Sequence, residues 1–448
     1  MRKTLFRLVT FTVLCLALCC SGGESYRAIE IIEAEEQLEL PDLWPGFEPL
    51  KVPVAIFDGQ RTVLARHPSP PKEFKPLPGH DGIWIYDGRH PMISACTSGE
   101  IAGVRTALVM VDPAQDTAVE KSAAVLVHES FHAFAGARHP DWGANEMEAF
   151  LYPVEDTLGL ALRRLEVESL KRALAAGNDT EAQRWSAGAL DIRKRRFARL
   201  TPGQSNYERG IELFEGTAFY VENRSLGDAA TPPLEESGYG PEQIRRRAYD
   251  TGRAVCILLD RLAPGWKERL EGGPAVPLDS LLTEAVHAAR VSAHEIPDTL
   301  FREELLRAED DIAAILEGRE REREEFLGAG GWVLEIVGDD TEKAFWSVGF
   351  DPMNLRRVSG DEMLHNRMLK LSGSSGTFEA MDRKVLTKAV GDHPMFSGIC
   401  RVVVTGLDEE PEIHEQDGQT IIEAEGISAC LNIASIERHG KCITLTMR

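Results

Sequence analysis

The stretch Ala123-Ala124-Val125-Leu126-Val127-His128-Glu129-Ser130-Phe131-His132-Ala133-Phe134 holds the residues best spaced for chemistry. Its apolar character predicts a helix. On it His128 and His132 stand one turn apart on one face, so both imidazoles can reach a single ion. Glu129 follows the first histidine, where its carboxylate can lie beside a water held by that ion. This is the H-E-x-x-H spacing of two zinc ligands and a general base. Zinc lowers the pKa of a water, but hydrolysis also needs the base and an open coordination position, which is why all three residues matter.

Two imidazoles leave zinc short of at least one protein ligand. Glu215, in Glu215-Gly216-Thr217-Ala218-Phe219-Tyr220, is the best candidate. Glu166, a bare carboxylate in a Leu-rich helix, is its rival as a ligand or as an acceptor for a histidine N–H. Glu146, Glu148 and Glu155 lie nearer in sequence. Glu208, Glu212, Glu215 and Glu222 share one helical face, and the ordinary expectation for such a face is solvent. A donor for a developing oxyanion can come from Tyr207, Tyr220, Tyr249 or His139, with Tyr249 preferred. Arg193, Arg195 and Arg196 can hold a substrate carboxylate, although pairing with the local acidic surface is the simpler expectation.

H-E-x-x-H followed on a later helix by E-G-x-A-x-Y resembles the gluzincin metallopeptidases, with His128, Glu129, His132, Glu215, Gly216, Ala218 and Tyr220 matching. The resemblance implies Glu215 as third ligand, Zn2+ as cofactor, a peptide or protein substrate, and Gly216 as the residue that lets its helix pack close to the metal helix. Further stretches are similar to a set of secreted bacterial proteins of this type. They include Leu165-Glu166, the Arg193–Arg196 cluster, Tyr249 with Gly252, Leu259-Asp260-Arg261 and Gly349-Phe350-Asp351-Pro352-Met353-Asn354. The similarity covers most of the chain and brings no substrate. From His132 to Glu215 the interval is 83 residues (215 minus 132), longer than in compact gluzincins, so an inserted helix pair is expected.

The elements that must position these residues follow from periodicity. Arg2, Lys3 and Arg7 before apolar Leu5–Leu18 read as an export signal over residues 1–20, with Cys19 or Cys20 as a lipid-attachment site. Residues 21–115 form an entry segment, including Leu43-Trp44-Pro45-Gly46-Phe47, and a small sheet with strands at 52–57, 62–65, 82–86 and 106–111. A helical body spans 116–327. Its metal helix is capped near Asp116-Thr117 and stops at Gly136, and a later helix is opened by a Thr180/Gln183 capping box. Gly328–Gly331 reads as a linker into a mostly β domain over 332–448. The fold class is therefore α+β, a zincin-like catalytic domain followed by a β-rich domain.

The formal charge is −22, near −25 once Arg2, Lys3 and Arg7 are removed (−22 minus 3), with no basic stripe. Such a surface repels nucleic acid and anionic lipid, leaving an N-terminal lipid as the one route to a membrane. Beyond the leader, Cys96, Cys256, Cys400, Cys430 and Cys442 are odd in number and far apart; one disulfide among the last three is allowed but not demanded. The expectation is an exported zinc peptidase of the periplasm, envelope or exterior. Its rivals are a non-catalytic envelope binding or assembly protein on a zincin scaffold, whose β domain recognises a partner, and a cell-wall peptide amidase. Glu129 favours an enzyme, since a structural metal site has no need of a base.

Overall fold

Continuous apolar runs within positions 54–57, 61–65 and 104–110 build the first sheet. The computed structural model describes residues 27–112, 117–227, 233–338, 344–351, 354–391 and 393–448. The leader with Cys19 and Cys20, and Asp116, Pro352 and Met353, lie outside them. The sheet contains β1 (Val54–Phe57), β2 (Arg61–Ala65), β3 (Lys75–Pro76), β4 (Ile83–Asp87), β5 (Thr97–Ile101) and β6 (Val104–Met110), in the order β3-β4-β2-β1-β6-β5. β1 runs parallel to β6, and β5 runs antiparallel to β6 at the edge. Val54, Ile56, Val63, Ala107 and Val109 point to one face. There they meet α1 (Arg27–Glu35) and α2 (Val119–Arg138) through Ala28, Ile31, Ala123 and Leu126. Their chain neighbours Ala55, Leu64 and Leu108 fill the other face with Phe74 and Ile93. This is the period-two signature of a sheet buried on both sides.

β5 had no strand signal, because Thr97-Ser98-Gly99-Glu100 lacks apolar alternation. It is a strand by virtue of its hairpin: Ala102 and Gly103 both take positive φ (47° and 76°), the turn geometry that returns a chain along its neighbour.

α2 differs from expectation at both ends. Thr117 does not cap it: Ala118 occupies the cap position with no side-chain bond, and the Thr117 carbonyl instead accepts from Arg27 Nη2 at 2.5 Å. Gly136 does not end it either, and the helix continues to Arg138. A Cβ on Gly136 would stand 2.7 Å from Arg105 Nη1, so the glycine makes room for a guanidinium.

The chain divides into two compact units, residues 1–140 with 221–231 and residues 141–220 with 232–448. The second contains α3 (Thr157–Ala175), α4 (Asp179–Phe197) and α5 (Pro202–Ile211), then a π-helical turn (Glu212–Gly216) that leads into α6 (Thr217–Ser225), the helix that leaves the unit. α7 (Ile244–Leu262), α8 (Trp266–Gly272), α9 (Leu278–Ala289) and α10 (Asp298–Leu327) complete the helical body. The expected Thr180/Gln183 box is replaced by Asn178, whose side chain accepts from Glu181 N. A capping box does form at Thr201 and Gln204, ahead of Pro202 in the first turn.

After α10 the chain turns to strands, so the fold is mixed α and β with a helical body and a strand-rich C-terminal region. One sheet runs, in spatial order, Ile433–His439, Cys442–Met447, Trp332–Val337, Ile399–Leu407, Val385–Ala389, Glu362–His365 and Leu355–Arg357. The other runs Glu412–Gln416, Gln419–Ala424, Ile427–Leu431, Gly376–Met381, Met368–Gly373 and Trp346–Phe350. Their inward residues, among them Leu334, Ile336, Phe345, Phe378, Val402 and Leu445, share one core. The Gly328–Gly331 segment is held on both sides. Phe326 packs with Val358, Leu364, Leu386 and Val403, Thr405 Oγ1 donates to the Phe326 carbonyl at 2.8 Å, and Arg323 pairs with Glu362 at 2.7 Å. Gly331 has φ +98°, and a Cβ there would meet Leu407 O at 2.5 Å. Among the described residues Cys400, Cys430 and Cys442 form no disulfide with one another, so the allowed bridge does not form. Among the described residues no helix is long and apolar enough to cross a membrane.

Candidate metal centre

α2 carries His128, Glu129 and His132 on its buried side. The entry segment fixes the helix from the outside: Trp44 and Phe47 each meet Phe131 edge-on, with ring centroids 5.2 and 5.3 Å apart. The two histidines present Nε2 to Nε2 at 3.0 Å. Two nitrogens bound tetrahedrally at ~2.0–2.1 Å from one ion stand ~3.3 Å apart, so the pair is close to the spacing a shared ion requires. His128 Nδ1 lies 2.9 Å from Glu222 Oε2. With its proton on Nδ1 donated to that carboxylate, His128 turns the lone pair of Nε2 toward His132.

Glu222 corrects an expectation. It belongs to the face read as solvent, yet its side chain is largely covered, and Glu208, Glu212 and Glu215 on the same run are buried. Glu129 is buried as well, beside Cys96, where the chain enters β5.

Glu215 sits in the π-turn. Such turns insert one extra residue into a helix and need partners to hold them. Here Glu212, the first residue of the turn, takes Arg193 in a forked pair at 2.7 and 2.6 Å and Thr251 Oγ1 at 2.7 Å. Gly216 approaches α7: a Cβ on it would stand 2.6 Å from Gly252 Cα. A Cβ on Gly252 would in turn meet Glu212 O at 2.6 Å. Two facing glycines thus let the turn lie against α7. From α7, Arg245 Nη2 donates to Glu215 Oε1 at 2.7 Å, and Tyr249 hydrogen-bonds the same carboxylate. Burial pushes the Tyr249 phenol well above its ordinary range, and the Glu215 charge pushes it further.

His128, His132 and Glu215 each offer one ligand atom, and these atoms all lie within 4.8 Å of one another. All three residues are buried. This His-His-Glu group can hold a metal ion.

Of the rival carboxylates, Glu166, Glu155 and Glu146 are engaged elsewhere. Glu166 Oε1 accepts from Arg193 Nη2 at 2.7 Å and Arg247 Nη2 at 2.6 Å, and Oε2 accepts from Arg196 Nε at 2.9 Å. Burial alone would raise its pKa, but the three guanidiniums outweigh that and hold it far below the usual carboxylate range. Glu208 joins the same cage through Arg196 and Arg247. Arg193 and Arg196 are therefore committed to buried carboxylates, whereas Arg195 is exposed. Glu155 pairs with Arg319, and Glu146 with Arg245. Tyr220 is a core residue whose hydroxyl donates to Asp260 Oδ2 at 2.5 Å. Tyr207 is buried with its phenol pushed up to about 12, first by burial and then by Glu146. His139 serves as the C-cap of α2.

No protein-family model, no curated protein and no solved structure matches this chain.

Proposed function

We propose that the chain is an exported, zinc-dependent peptidase of the gluzincin kind. The observation that carries this reading is the approach of one His128, one His132 and one Glu215 ligand atom to within 4.8 Å of one another, with Glu129 buried beside His128 on the same helix. Two imidazole nitrogens and a carboxylate oxygen form a donor set that suits zinc and leaves a fourth position open. Bound there, zinc would polarise a scissile carbonyl and lower the pKa of a water. The chain's own residues supply the rest. Glu222 fixes the tautomer and orientation of His128. Glu129 takes the proton of the attacking water and returns it to the leaving amine. Turned from its hydrogen bond to Glu215, the Tyr249 hydroxyl can donate to the developing oxyanion without carrying charge. The outer edge of β5 can pair with an extended peptide as an added strand.

Export and lipid attachment at Cys19 or Cys20 belong to the same proposal. The test is metal analysis of protein purified without chelator, followed by exposure to a mixed peptide library with and without a chelator. About one zinc per chain and chelator-sensitive cleavage are expected. Protein that neither carries nor takes up zinc, and cleaves nothing, removes the proposal.

A further inference from the structure

A cavity of about 740 Å³ opens where the 3₁₀ segment Glu146–Leu151, the start of α7, α10 and the C-terminal strands meet. Its size is that of a small-ligand site, commonly ~300–1,000 Å³. Met147, Phe150, Ile244, Phe350, Leu355 and Met363 give it a mainly apolar wall. The wall is aromatic at one end, since Phe150 and Phe350 both lie against Phe396, at 6.4 and 5.9 Å between ring centroids.

Three arginines also line it, and their partners differ. Arg245 is neutralised by Glu146 and Glu215. Arg319 is neutralised by Glu155 at 2.5 Å and Glu242 at 2.8 Å. Arg357 has no carboxylate within 4.0 Å among the described residues. Its hydrogen bonds go to carbonyls, Ser359 O at 3.1 Å and Phe150 O at 3.4 Å. Glu155, paired with Arg319, acts on Arg357 only at longer range, so this half-buried guanidinium lies beside apolar surface without a direct ion pair, and an incoming anion relieves that cost. Burial already holds the Arg357 pKa below its ordinary value.

The geometry points to this cavity as a binding site for the C-terminal end of a peptide, with an apolar side chain against the Phe150 and Phe350 wall and its free carboxylate on Arg357. Arg245 joins the cavity to the metal centre, since it lines the one and donates to Glu215 in the other. Describing this end as the substrate's rests on the peptidase reading; the binding itself does not. A carboxylate-guanidinium pair is best made bidentate, and an amide at the same position can neither fork onto Arg357 nor balance its charge.

The test is calorimetric titration of the full chain, freed of metal so that nothing is turned over, with N-acetyl-Ala-Phe as the free acid and as its C-terminal amide. The acid is expected to bind at least tenfold more tightly. Arg357→Gln should remove that preference and Arg357→Lys should keep part of it. Leu355→Glu, two residues away on the same face of its strand, supplies an internal counter-ion and should also remove the preference while leaving Arg357 in place. Equal binding of acid and amide to the unaltered protein, or a preference that survives both Arg357→Gln and Leu355→Glu, overturns the assignment. Library cleavage by zinc-loaded protein together with no acid preference sinks the cavity site and leaves the peptidase reading standing. Acid preference in a protein that takes up no zinc and cleaves nothing supports the site and removes the peptidase reading.

Discussion

Glu222 Oε2 stands 2.9 Å from His128 Nδ1, on the same helical run that presents Glu215 seven residues earlier. One run therefore supplies both a candidate ligand and the carboxylate that sets the tautomer of another.

Glu222→Ala is expected to weaken zinc binding by ~10–100-fold, the usual cost of losing an outer carboxylate behind a ligating histidine. Competition against a chromophoric chelator measures it. Glu222→Gln should fall between the two, because the amide oxygen still accepts from Nδ1–H but carries no charge. Unchanged affinity in Glu222→Ala would show that the contact does not orient His128.

How much of this was legible from sequence depended on whether an element announces itself locally. The helical body and the strand-rich region after Gly331 stand where the change in composition placed them. His128, Glu129 and His132 were readable because their spacing is set by a single helical turn. The acidic face Glu208–Glu222 was not, because a sequence window shows charge but not partners. Arg193, Arg196 and Arg247 reach those carboxylates from other helices, turning an apparent solvent face into a buried one. Arg245 gave no signal beyond standing one turn before Tyr249, and the π-turn leaves no compositional mark except the glycine at its end. β5 was missed because its strand comes from its turn and its neighbour, not from alternation.

The facing glycines make a prediction about packing. Gly252→Ala puts a methyl against backbone atoms of Glu212 and Gly216 that cannot rotate away. A destabilisation of ~1–3 kcal/mol is expected from such overpacking. Thermal unfolding measures this, and zinc affinity should drop in parallel because the π-turn bearing Glu215 is displaced. Full stability with normal zinc binding would mean that the close approach does not constrain the turn.

The carboxylate-guanidinium cage predicts an acid limb of stability. Burial tends to raise Glu208, but Arg196 and Arg247 more than reverse this and hold it at about 2, against an ordinary 4.5. Glu166 is lowered by the same kind of contacts. Carboxyls depressed in the folded state stabilise it above their unfolded pKa, and that contribution is lost as pH falls toward the folded value. Metal-free protein should therefore show a thermal midpoint that declines from near pH 4.5 to near pH 2. Using metal-free protein keeps metal loss out of the signal, and buried His365, lowered to about 3 by desolvation, adds a loss that begins nearer pH 6.5. A midpoint that is flat across this range would contradict the cage. Removing one partner, as in Glu208→Gln, should cost ~3–5 kcal/mol at neutral pH, since it strands buried guanidiniums.

The sharpest separation between enzyme and binding module comes from comparing Glu129 with Glu215. Glu129→Gln keeps the size and a hydrogen-bonding amide but removes the base. Zinc should stay bound while hydrolysis falls by at least the ~10²–10⁴-fold typical of a lost general base. Glu215→Ala leaves two histidines, so zinc affinity and activity should fall together. Glu166→Ala should behave differently again. It exposes Arg193, Arg196 and Arg247 to an empty buried space, so it should lower the thermal midpoint more than any intrinsic zinc affinity of the folded fraction. Metal analysis, unfolding and peptide turnover on the three variants give three distinct patterns. If Glu129→Gln and metal removal both leave every measured function intact while a partner still binds, the peptidase reading fails and the zincin-like scaffold is a binding module.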